Sequence, residues 1–195
     1  MKKKITLILA SGILVLGLLA GTMSTAAAYG GGNGNSGKGA GGSCYGDLCL
    51  NYSADTDTTV LTDTEQAGLI YMVEEEKLAR DVYQYLASQY DLAVFSNIAQ
   101  SEQTHMDALL SIIENHGLTS PVSPEAGVFS NAALQALYTE LTTKGSQSLV
   151  DALLVGGAIE ELDIRDLQSY LTATTNSSLV QVYTNLLNGS YNHLN

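Results

Sequence analysis

The chain has 195 residues, with 8 Lys and Arg against 20 Asp and Glu, for a formal net charge of −12. An excess of acid this large repels phosphate backbones and anionic lipid, so nucleic acid is excluded as a partner and so is a charged membrane surface. The acids do not form a disordered tail, because many fall inside strongly periodic apolar segments.

At the start, Lys2, Lys3 and Lys4 precede an apolar run over 5–20 and small residues ending in Ala26, Ala27 and Ala28. That order of regions predicts a secretory signal over 1–28, cut before Tyr29. An uncleaved membrane anchor is the rival reading, since the run is nearly long enough to span a bilayer. Cleavage removes three lysines and takes the net charge from −12 to −15. No later segment is apolar enough to cross a membrane, so the expected location is extracytoplasmic, either secreted or at the cell surface.

Residues 29–60 form the next segment, dominated up to Gly46 by Gly, Asn and Ser. Such a composition cannot bury enough surface to offset ordering entropy, and it predicts a flexible tether. Cys44 and Cys49 lie close together in it. In an exported chain a local disulfide is the first expectation, contributing about 2 kcal/mol for so short a loop. Metal ligation ranks lower because no histidine is near enough to complete a set.

The ordered domain is expected over 61–195. Thr62 and Glu65 have the spacing of a capping box, and Leu69, Met72, Val73, Ala79, Tyr83, Leu86 and Ala87 recur at helical intervals, predicting a helix to about residue 89. A second helix is predicted over 94–115, with Phe95, Ile98, Leu109, Ile112 and Ile113 on one face and Gly117 ending it. Pro121 and Pro124 mark a loop, followed by a short amphipathic helix over 132–143. A third long helix is predicted over 148–172, with Leu153, Ile159, Ile164, Leu167 and Leu171 inward and a bend at Gly156 and Gly157. Asn176 or Ser177 caps a last helix carrying Leu179, Val182, Tyr183, Leu186 and Leu187. The fold class is therefore all-α. Four principal helices make an antiparallel four-helix bundle, with a long connection between the second and third carrying the short extra helix.

Ionisable residues on the apolar stripes carry the functional signal, because an unpaired buried carboxylate is costly and calls for a cation or a hydrogen-bond network. At about 100° per residue Glu76 falls among Met72, Val73, Ala79 and Tyr83, while Glu74 turns toward solvent and Glu75 lies at the boundary. Glu102 and His105 sit in the stripe of Ile98, Leu109 and Ile113, three residues apart, so both side chains reach one point. Glu160 projects with Leu153 and Ile164, Asp163 follows one turn later, and Glu161 is rotated away. Ser190 and His193 continue the face of Val182, Tyr183 and Leu186. Taken singly, each acid is more simply satisfied by a salt bridge to Lys77 or Arg80, and each histidine as a core residue. Taken together they are a stronger signal, because only five basic residues are left after signal cleavage to neutralise several inward acids, whereas a pair of divalent cations does so directly.

The stretch Glu76, Ala79, Arg80, Tyr83, Tyr85 and Ala87, with Ser101-Glu102-Gln103-Thr104-His105 on the second helix, resembles the ferritin-like superfamily on its rubrerythrin side. Over 61–194 the chain is similar to an uncharacterised family of exported microbial ferritin-like domains. The resemblance implies a di-iron centre: Glu76 and Glu160 as terminal carboxylates, Glu102 as a bridge, His105 and His193 as nitrogen ligands, and Asp163 as an additional acid. The usual second bridging Glu is Ser190 here, which leaves a single metal, or another divalent metal, open. It also implies an oxidoreductase acting on peroxide or dioxygen, with metal ions and a small oxidant as partners and a homodimer compatible with the family. Two rivals stand beside it: iron sequestration or delivery without turnover, and a metal-free helical interaction module in which the acids form a polar layer with His105 and Arg80. No His-Glu-x-x-His run supports a zinc hydrolase, and no Gly-rich phosphate loop joins a strand to a helix.

Overall fold

The computed structural model describes residues 59–195, all within the unit Gly42–Asn195. The expected signal, the tether up to residue 58 and the Cys44–Cys49 disulfide lie outside the described residues. Five helices follow in order: α1 (Asp63–Gln89), α2 (Ala93–Asn115), α3 (Ala132–Gly145), α4 (Leu149–Ala173) and α5 (Ser177–Leu194). The described residues contain no strand, so the fold is all-α.

Local chemistry sets most of the helix starts. Thr62 accepts from the Glu65 backbone N–H at 3.2 Å while the Glu65 carboxylate accepts from the Thr62 N–H at 2.9 Å, closing the expected capping box. Asn131 caps α3, Ser148 caps α4 and Asn176 caps α5, each contributing about 1 kcal/mol. At the far end of α2, Gly117 adopts φ +65°, a conformation that glycine enters without a Cβ penalty.

Helix α1 is the hub, packing against α2, α3 and α4, while α5 packs on α4 and α2. Two apolar clusters fill the interior. One gathers Leu78, Val82, Phe95, Ile98, Leu134 and Ile159, the other Leu69, Met72, Leu109, Ile113, Leu167 and Val182. Along α1 the second cluster stops at Val73 and the first begins at Leu78; on α2 the gap runs from Ala99 to Met106, and on α4 from Ile159 to Leu167. The polar residues singled out on these helices occupy those gaps, so a polar layer separates two oily ones.

Several expectations are corrected. Glu74 does not face solvent: it is buried, and its carboxylate accepts from the backbone N–H groups of Ser130 and Asn131 at 2.5 and 3.0 Å. Lys77 and Arg80 do not serve the inward acids. The buried Lys77 ammonium pairs with Asp81 at 2.5 Å, donates to the Glu125 carbonyl at 2.9 Å and lies over the Phe129 ring. Arg80 also binds Asp81, and donates to Gln103. These contacts tie segment 125–131 to α1 and offset part of the cost of burying so many charged groups there. Leu153, expected inward, is 49% exposed. Helix α4 runs unbroken past Gly156, which makes room for Tyr83: a Cβ there would lie 3.1 Å from the Tyr83 hydroxyl. Among the described residues no helix is long and apolar enough to cross a membrane.

Candidate metal centre

Helix periodicity brings the acids together from separate helices. Glu76 at the middle of α1, Glu102 and His105 on α2, and Glu160 and Asp163 on α4 are all buried, and His193 on the last turn of α5 is half-buried. Two groups of three converge: Glu76, Glu102 and His105, and Glu102, Glu160 and His193, each with one donor atom per residue within 4.8 Å of the others. Glu102 belongs to both. Its Oε2 lies 2.8 Å from His105 Nδ1 and its Oε1 lies 2.9 Å from His193 Nδ1, so the two carboxylate oxygens serve different histidines. Glu76 Oε2 stands 3.3 Å from His105 Nδ1, and Glu160 Oε2 stands 3.3 Å from His193 Nδ1. The two imidazole rings stack with centroids 5.8 Å apart. Asp163 belongs to neither group; its Oδ2 accepts from the buried Ser190 hydroxyl.

Neighbours outside the candidate ligand set hold these groups in place. The Tyr83 hydroxyl donates to Glu160 Oε1 at 2.6 Å. Tyr83 was expected as a core residue; its place two turns after Glu76 on the same face, and in the stretch that resembles the rubrerythrin first helix, was the signal for it. The Ser101 hydroxyl meets His193 Nε2 at 2.9 Å, with nothing in the sequence to announce it. Gly189 is needed where it stands, since a Cβ would lie 2.6 Å from His105 Cε1 and Nε2. Glu75, expected at the boundary, is buried.

The electrostatics are those of a site in which acids outnumber the imidazoles that can carry positive charge. Burial pushes the Glu76 carboxyl well above the usual range, and the charges of Asp163 and Glu102 push it further. Burial and then Asp163 do the same to Glu75. Asp163 is raised to about 7 by burial and by Glu102, with the Ser190 hydrogen bond opposing. Burial also acts against ionised Glu102, but His105 and His193 outweigh it and hold that carboxyl far below its ordinary value. His193 is lifted to about 9, because hydrogen bonds to Glu102 and Glu160 overcome the burial that disfavours imidazolium.

Five buried acids and two histidines therefore share the polar layer, and the described ion pairs bring no lysine or arginine onto any of the five. Both oxygens of Glu75 and of Glu76, Asp163 Oδ1 and His105 Nε2 are buried without a hydrogen-bond partner. The orphaned carboxylate oxygens, with the two imidazole Nδ1 atoms set among Glu76, Glu102 and Glu160, fit a pair of divalent cations that would bring further positive charge.

Residues 65–195 match the family described as an uncharacterized protein domain, DUF2202. The chain is similar to the uncharacterized protein MJ0754 of Methanocaldococcus jannaschii, 47% identical over 146 residues that make up 74% of this chain and 79% of that protein. It is also similar to the crystal structure of the hypothetical protein MJ0754 from Methanococcus jannaschii, with TM-score 0.69 and 48% identity over 70% of this chain and 78% of that one.

Proposed function

The chain belongs to the DUF2202 family, and on that premise we propose that it is an exported ferritin-like protein whose helices hold two divalent cations. The observation that carries this reading is the pair of three-residue groups joined through the two oxygens of Glu102. Glu76 and His105 complete one position, and Glu160 and His193 complete the other. Carboxylate and imidazole donors without thiolate suit first-row divalent metals, and the rubrerythrin-like pattern of α1 and α2 favours iron. The arrangement of α1, α2, α4 and α5, with α3 on the connection, supports the ferritin-like four-helix bundle.

Two bound irons would supply redox chemistry on peroxide or dioxygen. The chain's own part is to shape the place where that happens. Glu102 offers one oxygen to each side. Tyr83 fixes one oxygen of Glu160 and leaves the other toward His193. Gly189 admits the His105 ring, and the flanking apolar clusters keep bulk water away. The signal and tether expected from the sequence would put that action outside the cytoplasm.

The test is metal analysis of protein purified without chelator, followed by anaerobic Fe(II) addition. Two equivalents bound per chain support the reading; none bound overturns it. Peroxide consumed catalytically by the loaded protein identifies an oxidoreductase, and stoichiometric binding without turnover identifies sequestration.

A further inference from the structure

We propose that Ser101 is a positioning residue for the outer histidine: its hydroxyl accepts from the Nε2–H of His193 and leaves Nδ1 of that ring bare toward the cation between Glu102 and Glu160; this rests on the two-cation reading above.

Consecutive residues of α2 hold the two nitrogens of one ring on α5. Glu102 Oε1 lies 2.9 Å from His193 Nδ1, with Glu160 Oε2 at 3.3 Å from the same atom, and Ser101 Oγ lies 2.9 Å from Nε2. An ionised carboxylate only accepts, so in the metal-free chain Nδ1 carries a proton. A cation seated among the same three atoms takes that proton's place. The neutral ring then has Nε2 alone to carry its remaining proton, and Ser101 Oγ is the group that Nε2–H meets.

The other half of the layer shows why this ring needs a hydrogen bond where its counterpart does not. His105 is fixed by packing: it is fully buried, a Cβ at position 189 would lie 2.6 Å from its Cε1 and Nε2, and that Nε2 has no hydrogen-bond partner. His193 rests one face on the His105 ring and lies on the last turn of α5, with its side chain 12% exposed. A ring so placed turns out toward water unless its outer edge is held. Ser101, half-buried on α2, holds that edge from the opposite helix pair and ties the terminal turn of α5 across the bundle. The same turn of α2 thus delivers a ligand, Glu102, and the group that aims a second ligand.

The probe is Co(II), added anaerobically and followed by bound metal per chain and by proton NMR, in which cobalt shifts the ring N–H of each liganded histidine far outside the ordinary range. The natural chain should bind two equivalents and show two such signals, both exchanging slowly with water. Ser101→Thr keeps the hydroxyl and should behave as the natural chain does. Ser101→Val has the shape of threonine without the hydroxyl. It should weaken, by up to about tenfold, the equivalent that His193→Ala also weakens, and should lose one ring N–H signal to fast exchange while that of His105 persists. Ser101→Val that binds as tightly as the natural chain, or keeps both signals, overturns the inference and leaves the two-cation reading intact. Equal weakening in Ser101→Thr and Ser101→Val traces to shape instead of the hydroxyl and overturns it as well. If Ser101→Val loses its helical circular dichroism, Ser101→Ala takes its place. A natural chain that takes up no metal removes the two-cation reading, and this inference with it.

Discussion

The two halves of the polar layer are built to one plan but finished differently. On the α1–α2 side, Glu76, Glu102 and His105 are 1%, 2% and 0% exposed and sit near the centres of long helices. On the α4–α5 side, His193 lies on a terminal turn with its side chain 12% exposed, its outer nitrogen meets Ser101, and a serine replaces the acid. If two cations bind as proposed, the sealed position would keep its ligands, whereas the one beside solvent would exchange them with water. The contrast predicts unequal retention, with the α1–α2 cation held longer than its neighbour.

The largest effect should come from the residue that belongs to both halves. Glu102→Gln keeps the shape but removes the shared charge, and should cost each cation at least about 100-fold in affinity by Fe(II) titration. Retention of either cation at normal affinity would mean that the halves are independent. Next, His105→Ala and His193→Ala separate them. Loss of the sealed ligand should weaken binding about 100-fold and loss of the outer one about tenfold, since water can occupy the vacated place only near the surface. Equal losses would erase the distinction. Tyr83→Phe, which strips a hydrogen bond from buried Glu160, should lower stability by about 2 kcal/mol in urea unfolding and affect the α4–α5 cation more.

The smallest effect is on pH. A raised imidazole stabilises the fold fully below its unfolded value and loses that contribution as pH rises through its folded one. For His193 the window runs from 6.5 to about 9. Glu76, raised by burial, works in the same direction, since it must ionise in the core as pH rises. Depressed Glu102 acts oppositely, but only in acid below that window. Metal-free protein should therefore melt at progressively lower temperature from pH 6.5 to 9, and divalent cation should flatten the trend. A flat metal-free profile would show that His193 is not held as an ion between Glu102 and Glu160.

Helix positions were largely legible because their ends carry local chemistry: the Thr62 box, Asn131, Ser148 and Asn176 act over three or four residues, and the predicted boundaries fall within two residues of the observed ones. The inward acids were legible for a related reason, since Glu76, Glu102, His105, Glu160 and Asp163 share stripes with core residues. Glu74 and Lys77 were misread because a single periodic stripe assumes one buried face, whereas α1 has neighbours on several sides and everything from Met72 to Ala79 is buried. Leu153 failed in the opposite sense: it lies on a part of α4 that no described helix covers fully. Ser101 and Gly189 depend on contacts between distant helices, which no local pattern encodes.

Glu74 and Glu76 are two residues apart on one helix and so look in nearly opposite directions. The first grips the start of α3 through Ser130 and Asn131, and the second turns toward His105. If a cation binds as proposed, a shift of this single turn would reach Ser130 and Asn131, at the start of α3. Amide protons of Ser130 and Asn131, well away from any ligand, become natural reporters of occupancy: their hydrogen exchange should slow when the cluster is loaded and quicken when a chelator empties it.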